Sequence, residues 1–311
     1  MLGKNLKQSI EQVYALDEVI GSGSYGIIFK AFRLSDRQTV AIKCFVSGDD
    51  IPQNCLNELK LIFRLQHPHI VKALDVFFAK KAYALVFEYM NAGDLRQHMK
   101  YHPIHAAQAF LLVSQVASGL SLIHKQNIVH RDIKPENILV HQQENQVFYK
   151  LADFNISRFA AVQQLRATDR GSPLYMAPEQ FYDTYDHRAD LYALGIILYE
   201  LLSGRPPFEG SYRELMQQHI QKEPEYADIP ALARPLLERL LAKKPAERYE
   251  NTAALLEDLN PLLLKLSHTG SILPLPSSPR DPVLTFDENK GAFYLKYLHQ
   301  TLWTEWIPAE D

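Results

Sequence analysis

The stretch that most constrains this chain is His130–Asn137, which reads HRDIKPEN and has polar, charged or proline residues at seven of its eight positions. Two apolar segments flank it, a helix-spaced run before it and the strand-like Ile138–Val140 after it. The run before it consists of Phe110, Leu111, Val113, Val116, Leu120 and Ile123. A polar loop between two buried segments is where catalytic groups tend to lie. The loop offers a carboxylate at Asp132, a cation at Lys134 and a metal-ligating amide at Asn137, although a polar surface loop would have the same composition.

A glycine-rich motif, Gly21-Ser22-Gly23-Ser24-Tyr25-Gly26, lies between two strand-like segments near the start of the chain. The spacing GxGxxG is a weak signal, because dinucleotide-binding folds also use it to open a helix. Here the residues that follow, Ile27, Ile28 and Phe29, are β-branched or aromatic, which favours a second strand and therefore a hairpin. Glycine lets such a hairpin approach phosphate groups without a side chain in the way.

A lysine, Lys43, ends the apolar strand-like segment Val40–Lys43. A buried lysine without a partner would be costly, so a carboxylate is expected close to it. The obvious partner is Glu58, in a segment whose apolar positions 55, 56, 59, 62, 63 and 65 predict an amphipathic helix. The alternative is that both residues are ordinary surface charges.

Two further motifs follow the polar loop, Asp153-Phe154-Asn155 and Ala177-Pro178-Glu179. In this order, the motifs resemble the signature of eukaryotic-type serine/threonine protein kinases over residues 15–265. The resemblance implies an α+β, bilobal protein kinase fold, with a small β-rich N-lobe that carries the αC helix and a larger, mainly helical C-lobe.

The resemblance also divides the chain. It implies an N-lobe 15–87, a hinge 88–94 and a C-lobe 95–265. Outside it lie an N-terminal arm 1–14, a linker 266–285 that is rich in proline and serine, and an aromatic tail 286–311. Residues 1–14 fit either a short amphipathic helix or a frayed arm, and the sequence leaves that choice open.

The implied reaction is transfer of the γ-phosphoryl group of ATP to serine or threonine hydroxyls of proteins. Asp132 is expected to accept or orient the hydroxyl proton, and Lys134 to stabilise charge on the transferred group. Asn137 and Asp153 are expected to hold Mg²⁺, with Mn²⁺ as an alternative metal. Lys134 also favours the serine/threonine class over tyrosine kinases, which have a different loop sequence.

The resemblance implies an ATP site in which Lys43 holds the α- and β-phosphates and Glu58 orients Lys43. Phe87 is expected at the back of the adenine pocket, with backbone groups of Glu88 and Met90 facing adenine. Asp94 is expected to face the ribose, and it also fits a helix N-cap. The full set of expected ATP-binding residues is Ile20, Gly21, Ser22, Gly23, Ser24, Tyr25, Gly26, Ile28, Ala41, Lys43, Glu58, Phe87, Glu88, Met90, Asp94 and Leu139.

Asn155 departs from the family pattern, which has glycine at this position. Asparagine enters the left-handed region more readily than most residues, so an active loop geometry is expected to survive. A kinase biased toward one state of this loop is one hypothesis, and a non-catalytic pseudokinase scaffold is the alternative. A small-molecule kinase is disfavoured by Ala177-Pro178-Glu179, which ends the peptide-binding platform in the family.

Regulation is expected at Thr168, four residues before Ser172, with Arg131 as the receptor for its phosphate. An unmodified, exposed Thr168 hydroxyl is an equally open alternative. The resemblance also implies that Arg248 pairs with Glu179 as a structural ion pair. Asp190 is expected to hydrogen-bond the backbone of the catalytic loop.

Composition limits the partners. The net charge of −3 provides no bulk basic field for nucleic acid, and we expect no membrane-spanning stretch. Two cysteines, without disulfide or metal-site spacing, predict a cytosolic setting, or host cytoplasm for a secreted effector. The kinase resemblance implies protein substrates as partners. The acidic Glu136 would favour a basic substrate residue near the acceptor, although the family also uses this position in other ways.

The aromatic tail has helical spacing from Phe293 onward and contains both tryptophans, Trp303 and Trp306. We expect it to dock back on the kinase domain, and binding to a partner or dimerisation through residues 286–306 is the alternative.

Overall fold

The computed structural model describes residues 4–23, 26–46, 59, 61–79, 82–102, 104–143, 146–153, 172–268, 282–287, 292–297 and 300–305. Five residues of the predicted site and its regulation therefore lie outside the described residues: Ser24, Tyr25, Glu58, Asn155 and Thr168.

The predicted α+β bilobal fold is confirmed, with a β-rich first lobe followed by a mainly helical one. The first lobe contains α1 (Lys4–Glu11), β1 (Tyr14–Gly23), β2 (Gly26–Arg33), β3 (Thr39–Val46), β4 (Ala73–Ala79) and β5 (Ala82–Glu88). Its strands form one antiparallel sheet in the order β1-β2-β3-β5-β4. The glycine-rich motif thus joins two paired strands, as the predicted hairpin requires.

The two faces of this sheet are covered by different helical segments, because side chains alternate along each strand. On one face, Leu6 and Ile10 of α1 pack with Val40, Ile42 and Cys44 of β3. On the other face, Leu59 and Ile62 from a second helical segment pack with Phe45, Tyr83 and Leu85. Residues 1–14, which the sequence left undecided, therefore contain a helix that buries the outer face of the sheet.

The larger lobe is built around α3, with shorter helices about it. Its α-helices are α2 (Leu95–Tyr101), α3 (Ala106–Lys125), α4 (Arg188–Ser203), α5 (Tyr212–Gln221), α6 (Arg234–Leu240) and α7 (Thr252–His268). Short 3-10 turns occupy Pro135–Asn137, Pro178–Tyr182, Ala231–Ala233 and Pro245–Glu247, and a hairpin is formed by β6 (Ile138–Gln143) and β7 (Gln146–Leu151).

Among the described residues, α3 passes a test of length and apolar composition for a membrane-spanning helix, but more than half of this stretch is buried inside the protein. Its apolar residues are instead the core of the larger lobe: Phe110, Leu112, Val113, Val116, Leu120 and Ile123 are fully buried. The hydropathy of α3 is therefore explained by burial inside the protein.

The prediction of helical structure from Phe293 onward is wrong. Residues in this region form β8 (Pro282–Asp287), β9 (Ala292–Tyr297) and β10 (Gln300–Glu305), an antiparallel sheet in the order β10-β9-β8. Short aromatic runs such as Phe293–Tyr297 fit strands as well as helices, and periodicity does not separate the two. The boundaries of the predicted linker fall inside α7 and β8, because α7 continues to His268 and β8 begins at Pro282.

Candidate active site

Asp190, near the start of α4, forms hydrogen bonds with the backbone of the polar loop His130–Asn137. Its carboxylate accepts hydrogen bonds from the backbone amides of His130 and Arg131, both at 2.9 Å, and from His124 Nε2 at 2.8 Å. Asp190 is 1% exposed, so these bonds compensate the burial of its charge. Arg131 has a φ of 71°, which non-glycine residues rarely adopt and which often marks a functional loop.

Three of the predicted catalytic residues meet at the Asp132 carboxylate. Lys134 Nζ donates to Asp132 Oδ2 at 2.8 Å, and Asn137 Nδ2 donates to the same oxygen at 3.0 Å. Asn137 Nδ2 also donates to the backbone oxygen of Asp132 at 2.8 Å. The other carboxylate oxygen, Oδ1, receives the backbone amide of Ser172 at 3.4 Å, a weak hydrogen bond. Oδ2 thus accepts two strong hydrogen bonds from side chains, and Oδ1 accepts only this weak one.

The fourth predicted catalytic residue, Asp153, is bound to the loop through the residue before it. Ala152 N donates to Asn137 O at 2.9 Å, and His130 Nε2 donates to Ala152 O at 3.0 Å. Asp153 itself has a φ of 57° and accepts a hydrogen bond from Lys43 Nζ. The structure therefore brings the lysine of β3 to the carboxylate expected to hold a metal.

These residues fit a magnesium ion whose remaining ligands are phosphate oxygens and water. The Asn137 hydrogen bonds commit Nδ2 to the loop and leave the amide oxygen to face a metal, and the Asp153 side chain is 49% exposed. Within the described part of the chain, no group of three or more His, Cys, Asp or Glu residues is placed to hold a metal ion. A pair such as Asn137 and Asp153 suits Mg²⁺, which typically binds one or two carboxylates, phosphates and water.

The glycine-rich hairpin is held closely against β3. Gly26 has a φ of +140°, and a Cβ at this position would lie 2.0 Å from Cys44 O. Glycine is therefore required at position 26 by the packing of the hairpin itself, in addition to any approach by phosphate. Ile28 pairs with Gly21 on one side and with Lys43 on the other, which places it beside the lysine.

The other expected ATP-binding residues are distributed over both lobes. Ala41 and Phe87 are register partners on β3 and β5, and Leu139 of β6 forms a bridge with Asp94. These apolar side chains, Ile28, Ala41, Phe87 and Leu139, are half-buried, whereas Met90 is buried and Ile20 is 44% exposed. Asp94 caps α2, since its Oδ1 accepts the amide of Gln97 at 2.9 Å.

The side chain of Glu88 ties the segment between the lobes to its neighbours. Lys150 Nζ of β7 donates to both Glu88 carboxylate oxygens at 2.8 Å, and the amide of Lys72 donates to Oε1 at 2.8 Å. Sequence reasoning assigned only backbone roles to Glu88 and missed Lys150, because no local spacing connects the two residues.

Arg131 and Ser172 both adjoin Asp132, Arg131 as its neighbour in the sequence and Ser172 through a hydrogen bond. The Arg131 guanidinium lies over the Tyr185 ring, 5.4 Å from its centroid, and Gln180 Nε2 donates to Arg131 O at 3.2 Å. Ser172 contacts Asp132 through its backbone amide. Thr168, the proposed phosphate carrier, lies outside the described residues.

Glu179 and Arg248 form a bidentate ion pair, with Nη1–Oε1 at 2.6 Å and Nη2–Oε2 at 2.8 Å. The Arg248 side chain is completely buried and also donates to the backbone oxygens of Ala242, Lys243 and Arg188. Its guanidinium lies 4.7 Å from the ring centroid of Tyr192. This arrangement fixes the segment after Ser172 against the core of the larger lobe.

Sequence reasoning missed a second polar network beside the catalytic loop, centred on Arg96 of α2. Arg96 Nε bonds Glu136 Oε1 at 3.0 Å, Nη1 bonds Glu200 Oε1 at 2.5 Å, and Nη2 bonds the hydroxyl of Tyr175. Burial and the Glu200 carboxylate raise the pKa of Tyr175, so its hydroxyl stays protonated and donates to Glu200 Oε2 at 2.7 Å. Arg96 and Glu200 are 104 positions apart, and no sequence pattern joins them.

Comparison with known proteins shows that residues 14–259 match the protein kinase domain family. The chain is 37% identical over 248 residues to serine/threonine-protein kinase ULK3 of Homo sapiens. The aligned region covers 76% of this chain and 52% of that protein. It is 34% identical over 248 residues to serine/threonine-protein kinase ATG1b of Arabidopsis thaliana, covering 76% of this chain and 35% of that protein. Serine/threonine-protein kinase PkaA of Streptomyces coelicolor is 34% identical over 256 residues, and the aligned region covers 76% of this chain and 47% of that protein.

The chain therefore spans between about a third and just over half of the length of these relatives.

Proposed function

The chain belongs to the eukaryotic-type serine/threonine protein kinase family, and we propose that it transfers the γ-phosphoryl group of ATP to serine and threonine hydroxyls of protein substrates. Family membership implies ATP and a divalent metal, usually Mg²⁺. The observation that carries the proposal is the convergence of Lys134 and Asn137 on Asp132 Oδ2, with Asp153 bound to the same loop through Ala152.

Asp132 is proposed to receive the proton of the substrate hydroxyl at Oδ1. Because Oδ2 is engaged by Lys134 and Asn137, the carboxylate is held in one orientation, with Oδ1 directed away from those donors. Lys134 is a cation within 2.8 Å of this carboxylate, and it is placed to stabilise negative charge that develops on the transferred phosphoryl group.

Lys43, Asn137 and Asp153 are proposed to position the nucleotide. When bound, Mg²⁺ would neutralise phosphate charge, and Asn137 and Asp153 are the residues that would hold it. The Lys43 ammonium, bound to Asp153 here, can reach the same phosphates from β3. The protein thus contributes positioning and electrostatics, and little covalent chemistry is asked of it.

The choice of serine and threonine as acceptors is supported by Lys134, two residues after Asp132, and by the printed names of the relatives. A non-catalytic scaffold is the alternative, and its support is Asn155, outside the described residues. The hydrogen bonds from Lys134 and Asn137 to Asp132 favour an active enzyme over a non-catalytic scaffold.

The product identifies the reaction class. Purified protein is incubated with labelled MgATP and a generic protein acceptor, and the labelled amino acids are identified after hydrolysis. Phosphoserine or phosphothreonine is expected from the wild type, and none above background from Asp132→Asn. Asp228→Asn, which removes an exposed carboxylate from a surface ion pair, serves as the matched control and is expected to label as the wild type does. Phosphotyrosine alone, or equal labelling by Asp132→Asn, would contradict the proposal.

Regulation by phosphorylation of Thr168 is proposed as a second step. Its support is Arg131, whose guanidinium lies over Tyr185 beside the catalytic loop and could pair with a phosphate. Thr168→Ala is expected to lower the activity of phosphorylated protein, and Thr168→Glu to restore part of it. An activity unaffected by Thr168→Ala would remove this proposal.

A further inference from the structure

Arg96 lies between two carboxylates that come from different parts of the larger lobe. Its Nε bonds Glu136 Oε1 at 3.0 Å, and Glu136 belongs to the catalytic loop itself. Its Nη1 bonds Glu200 Oε1 at 2.5 Å, and Glu200 is on the core helix α4. Nη2 bonds the hydroxyl of Tyr175, whose ring also lies under the guanidinium, 5.9 Å from centroid to Cζ.

This network adjoins the place where the proposed acceptor hydroxyl must lie. Tyr175 lines one small cavity together with Asp132 and Ser172. Glu136 is separated from Asp132 by three residues of the same loop, and its side chain remains 44% exposed. A side chain of a bound protein substrate could therefore approach Glu136 from solvent.

The charges of Arg96, Glu136 and Glu200 determine the local net charge near a substrate side chain bound here. Glu200 is buried, with a 7% exposed side chain, so its charge needs compensation inside the protein. Arg96 supplies that compensation and, through a separate nitrogen of the same planar group, also neutralises Glu136. Without Arg96 the two carboxylates would present a negative site beside the catalytic loop.

We propose that Arg96 occupies, from within the chain, the position that a basic side chain of a protein substrate would take between Glu136 and Glu200. The enzyme then selects its substrates without regard to arginine or lysine near the acceptor hydroxyl. Arg96 is in this sense a specificity-determining residue, and the inference rests on the proposed kinase function.

Glu136 taken alone predicts a preference for a basic residue near the acceptor. In the folded chain its charge is already paired with Arg96, and the reason is long-range packing of α2 against the turn Pro135–Asn137.

The test compares serine peptides that differ by a single arginine. A neutral peptide is the reference, and one arginine is placed in turn at each position within five residues on either side of the acceptor serine. For the wild type, kcat/KM for every arginine peptide is expected to lie within about threefold of the neutral peptide. For Arg96→Ala, at least one position is expected to gain about tenfold, the worth of one hydrogen bond to a charged group that is partly removed from water.

Three further variants isolate the cause of the gain. Arg96→Ala combined with Glu136→Gln is expected to lose most of the gain, because the exposed carboxylate is gone. Arg205→Ala, which removes an arginine from an exposed surface ion pair with Asp228, is expected to keep the wild-type ratios. If Arg96→Ala does not fold, Arg96→Gln keeps hydrogen-bond donors for Glu200 without the charge and is expected to show the same gain.

Two results would overturn the inference. One is a wild type that already prefers arginine by about tenfold at some position and loses this preference in Glu136→Gln. The other is an unchanged set of ratios in a folded, active Arg96→Ala or Arg96→Gln protein. Absence of transfer from the wild type to every peptide, the neutral one included, would count against the proposed function instead, so the two failures are distinguishable.

Discussion

At the scale of single residues, burial decides which charged groups matter for stability. Arg248 and Glu179 are removed from solvent and bonded through both oxygens of the carboxylate, at 2.6 and 2.8 Å. Lys244 and Glu247 lie close by in sequence and also form an ion pair, at 2.9 Å, but their side chains are 78% and 55% exposed. The two pairs allow the same chemistry to be compared in two environments.

Glu179→Gln is expected to lower the free energy of unfolding by about 3–5 kcal/mol, because it leaves the buried Arg248 guanidinium without its counter-charge. Glu247→Gln is the matched control, with an expected cost of about 0–1 kcal/mol, since water and salt screen the exposed pair. Urea unfolding followed by circular dichroism measures both. Equal costs for the two variants would contradict this view of the ion pair.

His219 provides a second residue-scale prediction, which concerns pH. Its ring is buried, with Nδ1 bonded to Tyr192 Oη at 2.9 Å, and burial, with a contribution from Lys243, lowers its pKa to about 3. Below about pH 6.5 the histidine binds a proton in the unfolded chain but stays neutral in the folded chain. The free energy of unfolding therefore falls as the pH falls toward 3. Above about pH 7.5 neither state binds a proton here, and the group contributes no pH dependence.

Replacement of this residue by a neutral side chain should remove its share of the acid destabilisation. Between pH 7 and pH 5, His219→Gln is expected to lose about 2 kcal/mol less stability than the wild type. Tyr192→Phe, which removes the hydroxyl partner but leaves the histidine buried, should retain the wild-type pH dependence. Urea titrations at the two pH values measure the difference, and an identical loss in the wild type and His219→Gln would show that the histidine titrates normally.

At the scale of elements, α1 and β3 form one unit. Alternation along β3 directs Val40, Ile42 and Cys44 toward α1, and Lys43 lies on the opposite face. Leu6 and Ile10 of α1 are 1% and 0% exposed, so the helix covers the face of β3 opposite to Lys43. The sheet is thereby enclosed on both faces.

Ile10→Ala is expected to lower the free energy of unfolding by about 2–5 kcal/mol, because it leaves a cavity against β3. Lys7→Ala, on the exposed side of the same helix, is the control and should change stability by no more than about 0.5 kcal/mol. Chemical unfolding of both variants makes the comparison. A negligible cost for Ile10→Ala would indicate that α1 is not part of the folded unit.

Elements with a long or sharply alternating pattern could be predicted from the sequence, and short ones could not. The apolar spacing of Phe110–Ile123 correctly gave α3, and the residues after the glycine motif correctly gave the β1–β2 hairpin. The run Phe293–Tyr297 was assigned helical spacing but forms β9, since a few aromatic residues fit either period. The apolar composition of α3 reflects depth in the core, which sequence alone does not reveal.

At the scale of the whole molecule, the candidate site combines groups that the sequence presents in separate motifs. Motif order was enough to predict Asp132, Lys134, Asn137 and Asp153 as one site, because the resemblance carries their arrangement. The contacts particular to this chain were not predictable, and the pairings of Arg96 with Glu200 and of Lys150 with Glu88 show why. Each joins residues far apart in the sequence, and only the packing of the fold brings them together.

The most direct measurement separates nucleotide binding from turnover. MgATP affinity by calorimetry and phosphate transfer in the steady state are measured for the wild type and Asp132→Asn. If Asp132 acts on the acceptor hydroxyl and not on the nucleotide, the variant keeps the wild-type affinity within about threefold while kcat falls by about 10²–10⁴. A wild type that binds MgATP but transfers no phosphate, or an Asp132→Asn protein with wild-type kcat, would contradict the account.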